Sequence, residues 1–204
     1  MKKLLLLTLS LLTLLSLTAC RPVATEKPVI YLYPETEMDV TVTLDYDGVL
    51  THTYPAYNGG WTVTAAPDGT LTDAAGRQYY CLFWEGAGGA QYDFSQGFCV
   101  AGCDTAAFLE ESLAALGLSD REANEFLIYW LPRMEGNAYN LIAFQTDAYT
   151  DAARLHVTPA PDTLLRVFMA WQPLDEAVDI PPQTLTAPER TGFTAVEWGG
   201  AQVG

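Results

Sequence analysis

The segment that decides the fold is Ser119-Asp-Arg-Glu-Ala-Asn-Glu-Phe-Leu-Ile-Tyr-Trp-Leu-Pro132. Ser119 and Glu122 form the S-x-x-E capping box, which predicts the start of a helix. Pro132 is expected to end that helix, because proline removes a backbone donor. Apolar residues recur at 3/4 spacing on one face and extend around the far side, which predicts a helix covered on more than one side: Ala123, Phe126, Leu127, Trp130, Ile128 and Tyr129.

A second helix is predicted just before the first, from Asp104 to Gly117, so that the two form an αα-hairpin. The rest of the chain contains short runs of apolar or alternating residues, which are typical of strands. Asp47-Gly48 between two such runs, 40–46 and 49–54, predicts a β-hairpin. We therefore predict an α+β fold, a mainly antiparallel β-sheet or sandwich with the αα-hairpin packed on it.

The first residues have the features of an export signal. Residues 1–19 begin with two lysines and continue with an uncharged apolar run, which predicts a signal peptide. The end of this leader, Leu17-Thr-Ala-Cys20, resembles the lipobox of bacterial lipoproteins. That resemblance implies that Cys20 carries acyl chains such as palmitate and anchors the protein to the extracytoplasmic face of the cell membrane. We expect residues 20–26 to be a polar tether outside the core and 27–204 to be one domain.

The chain is strongly acidic. Its net charge is −15, and removal of the leader takes away Lys2 and Lys3, which leaves eight Lys and Arg against 25 Asp and Glu and a net charge of −17. Such a surface cannot attract a phosphate backbone, so nucleic acid is excluded as a partner.

Three glutamates are candidate catalytic groups. Glu85 and Glu197 each stand beside a tryptophan, and Glu125 lies one helical turn after Arg121. Burial beside rings would raise the pKa of a carboxyl, and two such groups about 5–10 Å apart would form a glycosidase-like pair. The alternative is that Glu85 and Glu197 each cap a strand end and pair with an arginine.

Arg166 lies within an apolar run, 163–171, that predicts a central strand. A guanidinium buried there needs a carboxylate partner. We expect Glu125 to be that partner, with Glu85 and Glu197 as the next candidates. Such a group is either a structural clamp or part of a polar binding site formed by the following residues: Trp84, Arg121, Glu125, Trp130, Arg166 and Trp198.

Other chemistry is sparse. Cys81 could form a disulfide with Cys99, and Cys99 could instead pair with Cys103; the alternative is three small buried side chains. No serine lies in a G-x-S-x-G elbow. The cysteines lack the spacing of a zinc site, so we expect no metal and no cofactor.

Four segments together resemble an exported domain family of Gram-positive anaerobes that has no assigned activity: Lys27-Pro-Val-Ile-Tyr-Leu-Tyr-Pro34, Leu82-Phe-Trp-Glu-Gly86, Arg121-Glu-Ala-Asn-Glu-Phe126 and Val196-Glu-Trp-Gly-Gly200. The resemblance implies a single domain and assigns no catalytic residue. Two function classes therefore stay open. The first is a membrane-anchored cell-surface module that binds an envelope or extracellular glycan or peptide. The second is an envelope hydrolase with paired carboxylates.

Overall fold

The computed structural model describes residues 23–88, 90–145 and 147–204, so the predicted signal peptide and Cys20 lie outside the described residues. The strands are β1 Val23–Tyr33, β2 Met38–Tyr46, β3 Gly48–Tyr54, β4 Trp61–Ala65, β5 Leu71–Thr72, β6 Gln78–Tyr79, β7 Leu82–Gly88, β8 Phe98–Ala101, β9 Tyr139–Gln145, β10 Ala153–Thr158, β11 Thr163–Leu174 and β12 Thr194–Gln202. The α-helices are α1 Thr105–Ala115, α2 Asp120–Met134 and α3 Asp147–Ala152. None of these helices has the length and hydropathy of a membrane span.

The strands form two sheets. The large sheet has seven strands in the order β3-β7-β1-β12-β11-β9-β8, and the small sheet has five in the order β10-β2-β4-β5-β6. All described neighbours are antiparallel except β11 and β12, which run parallel and are joined by residues 175–193. The predicted α+β fold with a mainly antiparallel sheet system is confirmed.

The large sheet is the middle layer of three. One of its faces packs on the small sheet, and the other packs on the αα-hairpin formed by α1 and α2. In β1, Ile30 and Leu32 contribute to the first core, whereas Val29 and Tyr31 contribute to the second. Because successive side chains of a strand point to opposite faces, a strand between two cores must be apolar throughout.

The first strand starts earlier than predicted. Val23 and Thr25 pair with Gly88 and Gly86 of β7, and Thr25 is buried with its hydroxyl 3.1 Å from the hydroxyl of Tyr46. The glycines of β7 leave room for that tyrosine, since a Cβ on Gly86 would lie 2.4 Å from the Tyr46 ring. The expectation that residues 20–26 form a tether outside the core is therefore wrong for residues 23–26.

The capping box of α2 is confirmed. The hydroxyl of Ser119 accepts a hydrogen bond from the Glu122 backbone N–H, and the Glu122 carboxylate accepts one from the Ser119 N–H at 2.8 Å. The helix continues through Pro132 to Met134, so the predicted end is wrong. Proline removes the hydrogen bond to the carbonyl four residues earlier, which here is the carbonyl of Ile128. The side chain of Ile128 is 72% exposed. That exposure also corrects the expectation that α2 is covered on its far side.

The Asp47-Gly48 turn does not close a β-hairpin. It carries the chain from β2 in the small sheet to β3 in the large sheet. The Asp47 N–H donates to the carbonyl of Ala152 at 2.7 Å, and a Cβ on Gly48 would lie 2.5 Å from the carbonyl oxygen of Ala87. The predicted hairpin is therefore wrong, because longer-range pairing placed the two strands in different sheets.

Cys81, Cys99 and Cys103 are free thiols, so neither proposed disulfide is present. Cys81 immediately precedes β7, whereas Cys99 lies in β8, and four strands separate β7 from β8 in the large sheet. The sulfur of Cys99 instead accepts a hydrogen bond from the Val178 N–H at 3.4 Å.

Candidate functional site

Glu197 does not form a catalytic pair with either of the other candidate carboxylates, Glu85 and Glu125. Glu197 is fully buried in the large sheet, and its Oε1 accepts a hydrogen bond from the Trp84 indole N–H at 3.1 Å. Trp84 belongs to the core between the sheets, and its neighbour Glu85 points to the opposite face, because side chains alternate along a strand. Glu125 lies on α2, which covers that opposite face. Glu197 is therefore separated from both other glutamates by the sheet.

Arg166 is paired with Glu197 and not with Glu125, so the first choice of partner is wrong. Its Nε donates to Glu197 Oε2 at 2.7 Å, and the two residues are register partners on β11 and β12. Arg166 shares a strand face with Phe168, which belongs to the core between the sheets. The guanidinium carbon also lies 4.7 Å from the ring centroid of Tyr149.

The Arg166 guanidinium stays protonated although it is buried. Burial alone would lower the pKa of the Arg166 guanidinium, but the adjacent Glu197 carboxylate and Tyr149 outweigh it and raise that pKa. Burial, and then the negative charge of Glu197, raise the pKa of Tyr149 well above its ordinary value. The phenol therefore stays neutral beside an ion pair, an arrangement that suits a structural clamp between strands.

The tryptophans predicted as binding residues are core residues. Trp84, Trp130 and Trp198 have no exposed surface, so none of them can stack on a ligand. The Phe126 ring lies 5.2 Å from the Trp198 ring and 6.2 Å from the Trp130 ring, within the core under the αα-hairpin. Their size explains their place, since burying a large ring contributes more to folding than burying a small one.

A different aromatic surface is open to solvent. We call it the tyrosine cleft; it has a volume of about 340 Å³ and is lined by Lys27, Val29, Tyr54, Gln78, Tyr79, Tyr80, Cys81 and Phe83. It lies where the chain passes from β6 of the small sheet into β7 of the large sheet. Tyr54 and Tyr80 are 51% and 50% exposed, so their rings are accessible. The volume falls in the range of about 300–1,000 Å³ that small-ligand sites occupy.

Lys27 enters the cleft from an irregular position in β1. Its φ of 59° is the one positive value at a non-glycine residue among the described residues, and the register of β1 shifts there against both β12 and β7. Gly199 makes room for this bulge, since a Cβ there would lie 3.0 Å from Pro28. Bulges re-aim side chains, and strained backbone often marks a functional site. The Lys27 ammonium lies 5.4 Å from the Phe83 ring centroid and 5.7 Å from that of Tyr129.

Arg77 contacts two of the tyrosines that line the cleft. Its Nη2 donates to the Tyr54 hydroxyl at 2.8 Å, and its guanidinium lies over the rings of Tyr54 and Tyr79 at 5.9 and 5.7 Å. Cation–π contacts of this kind hold an arginine flat against aromatic rings while its remaining N–H donors stay available.

A smaller hollow of about 200 Å³ adjoins the cleft at Tyr80. It is lined by Tyr31, Tyr33, Asp68, Gly69, Thr70, Tyr80 and Arg121. Arg121 lies 3.7 Å from Glu125, which also accepts a hydrogen bond from the Tyr31 hydroxyl at 2.7 Å. Burial and then this hydrogen bond raise the pKa of Tyr31 above its ordinary value. Arg121 and Glu125 are thus the predicted binding residues that the structure places beside an open surface.

Glu85 is also held by protein groups. Its Oε2 lies 3.4 Å from His52 Nδ1, and its Oε1 accepts from the Lys27 N–H at 3.3 Å. Within the described ranges, no three His, Cys, Asp or Glu side chains come together as metal ligands.

Sequence reasoning missed four residues of the open surface, Lys27, Tyr54, Arg77 and Tyr80. One signal was available, because Lys27 is the only lysine after the leader. The tyrosines gave none, since their exposure depends on how the two sheets meet.

The four segments that carry the domain resemblance come together in space. Three lie on the adjacent strands β7, β1 and β12, and the fourth lies on α2, which packs against them. No protein-family model matches the chain, and no solved structure matches it. The chain is similar to a protein of Butyrivibrio fibrisolvens described as an uncharacterized protein in bglA 3'region, with 49% identity over 63 residues. The match covers 29% of this chain and 65% of that relative, so the chain spans less than two thirds of the relative's length.

Proposed function

We propose that this protein is a membrane-anchored cell-surface lipoprotein whose domain binds an extracellular or envelope glycan at the tyrosine cleft. The observation that carries the proposal is the exposure of tyrosine rings at a single concave site. Six large apolar side chains are exposed among the described residues, and the two aromatic ones, Tyr54 and Tyr80, both border the cleft. All five tryptophans are buried, so the fold does not leave aromatic rings exposed at random.

The composition of the cleft favours a sugar over a peptide. Tyrosine rings offer flat apolar faces to the C–H faces of a pyranose, and phenol and amide groups offer hydrogen bonds to its hydroxyls. A peptide is normally held by pockets for its side chains or by an exposed strand edge. Val29 is the one aliphatic residue that lines the cleft, and it is only 1% exposed. Peptide binding is therefore an outcome for the experiment below to detect.

The proposed anchor would hold the domain close to the membrane. Only two residues separate Cys20 from the first residue of β1, Val23. At about 3.3–3.6 Å per residue, the lipidated cysteine would lie within roughly 11 Å of that strand. A module so placed would act on ligands near the envelope and not far from the cell.

Hydrolysis by paired carboxylates is less well supported. Glu197 is buried in an ion pair, Glu85 contacts His52, and Glu125 is held by Tyr31. Glu85 and Glu125 remain the carboxylates on the side of the sheet that carries the cleft. If the screen described next detects released product, Glu85 and Glu125 are the residues to replace.

The experiment is a binding screen of the full chain, purified with its anchor in detergent, against immobilised envelope glycans, plant glycans and peptides. We expect retention on at least one glycan and no released product. The Tyr54→Ala/Tyr80→Ala double variant should lose this retention, while Ile128→Ala, which removes an exposed side chain of α2, should keep it. Retention on peptides alone, or glycan retention that survives the double variant, would refute the proposal.

A further inference from the structure

Two cations at the tyrosine cleft have no carboxylate partner among the described residues, although the protein is strongly acidic. Four arginines lie within 4.0 Å of a carboxylate: Arg121, Arg154, Arg166 and Arg190. Arg133 contacts the carbonyl of Tyr129 and stacks on its ring. Among the described residues, the cations that remain are Lys27, which lines the cleft, and Arg77, which contacts the lining residues Tyr54 and Tyr79.

Two acids that accept from the backbone N–H groups of these cationic residues are also engaged with other groups. Glu85 contacts His52 and accepts from the backbone N–H of Lys27, not from its ammonium. Asp73 accepts hydrogen bonds from the backbone N–H groups of Ala75 and Arg77 and from a tyrosine hydroxyl. Among the described residues, neither carboxylate forms an ion pair within 4.0 Å of the Lys27 ammonium or the Arg77 guanidinium.

Both side chains have unused hydrogen-bond donors. A lysine ammonium has three N–H donors and an arginine guanidinium has five. Within the described part of the chain, the Lys27 ammonium meets aromatic rings and no hydrogen-bond acceptor, and Arg77 uses one side-chain nitrogen on Tyr54. The rings fix the positions of both cations and leave donors for a ligand.

The backbone shows that the position of Lys27 is specified. A bulge breaks the register of β1 against both neighbouring strands, and Lys27 adopts a left-handed conformation there. A regular strand would have needed neither feature. Glycine would adopt this φ without strain. The lysine side chain is therefore the feature that distinguishes this residue from the one the backbone alone would favour.

We propose that the tyrosine cleft recognises an acidic glycan, with a uronic acid unit stacked on the tyrosine rings and its carboxylate bound by Lys27 and Arg77. This inference rests on the proposed function and specifies its ligand. The planar guanidinium matches a carboxylate in a two-pronged hydrogen bond, and the ammonium adds a point charge. A singly charged carboxylate also suits a domain of net charge −17 better than a doubly charged phosphate does.

The test uses uronic acid oligosaccharides and their methyl esters, which keep the sugar rings and remove the charge. Oligomers of galacturonic acid, of glucuronic acid and of hyaluronan are titrated into the full chain in detergent by calorimetry. We expect at least one acid form to bind about tenfold or more tightly than its ester. That preference should weaken as NaCl is raised, because salt screens exposed charges.

The variants assign the preference to the two cations. Lys27→Gln and Arg77→Gln should each reduce binding of the acid form and leave binding of the ester unchanged. Lys27→Arg and Arg77→Lys should retain part of the preference. Arg154→Gln is the matched control, because that exposed arginine pairs with Asp45 on β2, away from the cleft. Thermal melting of every variant identifies any loss of fold.

The outcomes separate this inference from the proposed function. If the cleft binds neutral glycans and esters as tightly as the acids, and binding depends on Tyr54 and Tyr80, the proposed function stands and this inference fails. Binding of phosphorylated glycans in preference to uronic acids would also overturn it. If no glycan binds, both fail.

Discussion

Arg166 and Glu197 lie side by side on the parallel strands β11 and β12, with the guanidinium Nε 2.7 Å from a carboxylate that has no exposed surface. The pair sits between the two sheets, and Glu197 also accepts from Trp84. A charge so deeply buried is tolerated only with its partner in place. The pair is therefore a clamp of the fold and lies apart from the tyrosine cleft.

Replacing Arg166 by Met should cost about 3–5 kcal/mol of unfolding free energy, because Glu197 would be left buried and unpaired. Urea denaturation measures this loss. The control Arg154→Met breaks an exposed ion pair and should cost about 1 kcal/mol or less. Glycan binding by any folded Arg166→Met protein should be unchanged. A variant of normal stability that has lost its ligand would show that Arg166 belongs to a binding site.

Acid should destabilise the domain partly through Glu122. Burial alone would raise the pKa of this carboxyl, but hydrogen bonds from Arg190 and from the Ser119 N–H outweigh burial and lower the pKa below 4.5. A lowered folded-state pKa contributes stability above the unfolded-state pKa, and this stability is lost as pH falls through the folded-state value. We expect the urea concentration at the midpoint of unfolding to decrease as the pH is lowered below about 4.5. Glu122→Gln should be less stable at pH 7 and should show a shallower fall; equal pH profiles would contradict the assignment.

The thiols should differ in reactivity. Burial, together with the charge of Glu125, raises the pKa of Cys81 to about 11, so about one thiol in a thousand is ionised at pH 8. Cys103 is exposed. Iodoacetamide should modify Cys103 first and Cys81 last, as measured by peptide mass spectrometry over time. Equal labelling rates would show that Cys81 is more accessible than the structure places it.

Gly48 should not tolerate a side chain. A Cβ there would lie 2.5 Å from the Ala87 carbonyl oxygen and 2.8 Å from the Cα of Gly88, both backbone atoms that cannot move aside cheaply. Gly48→Ala should cost about 1–3 kcal/mol in chemical denaturation. Gly136→Ala is the matched control, because its Cβ would meet nothing within 4 Å. If the two variants are equally stable, the crossing between the sheets is looser than described.

The proposed lipid anchor predicts a change of location for Cys20→Ser. Loss of acylation removes the apolar chains that would hold the protein in the membrane, each buried methylene contributing about 0.8 kcal/mol. Wild-type protein should incorporate labelled palmitate and sediment with membranes, whereas the variant should do neither. Incorporation of palmitate by the variant would place the lipid on another residue.

Several features could be predicted from sequence because they depend on a few neighbouring residues. The capping box specifies the start of α2, since both of its hydrogen bonds join residues three apart. Gly117, with a φ of 84°, ends the first helix as predicted. The apolar run around Arg166 indicated a buried strand and the need for a carboxylate, because burying an unpaired charge is unfavourable anywhere in a protein.

The partners of these elements were decided by tertiary structure. Strand pairing made Glu197 the partner of Arg166. Arg166 lies on the face of β11 that points to the small sheet, whereas Glu125 lies on a helix that covers the opposite face, so Glu125 cannot reach it. The same long-range pairing separated β2 from β3 and kept Cys81 away from Cys99. The tyrosine cleft exists only where β6 passes into β7 beside the Lys27 bulge. Local sequence determines which backbone conformations are favoured and which buried charges need a partner. The identity of each partner, and the choice of rings that stay open to solvent, depend on contacts between residues far apart in the chain.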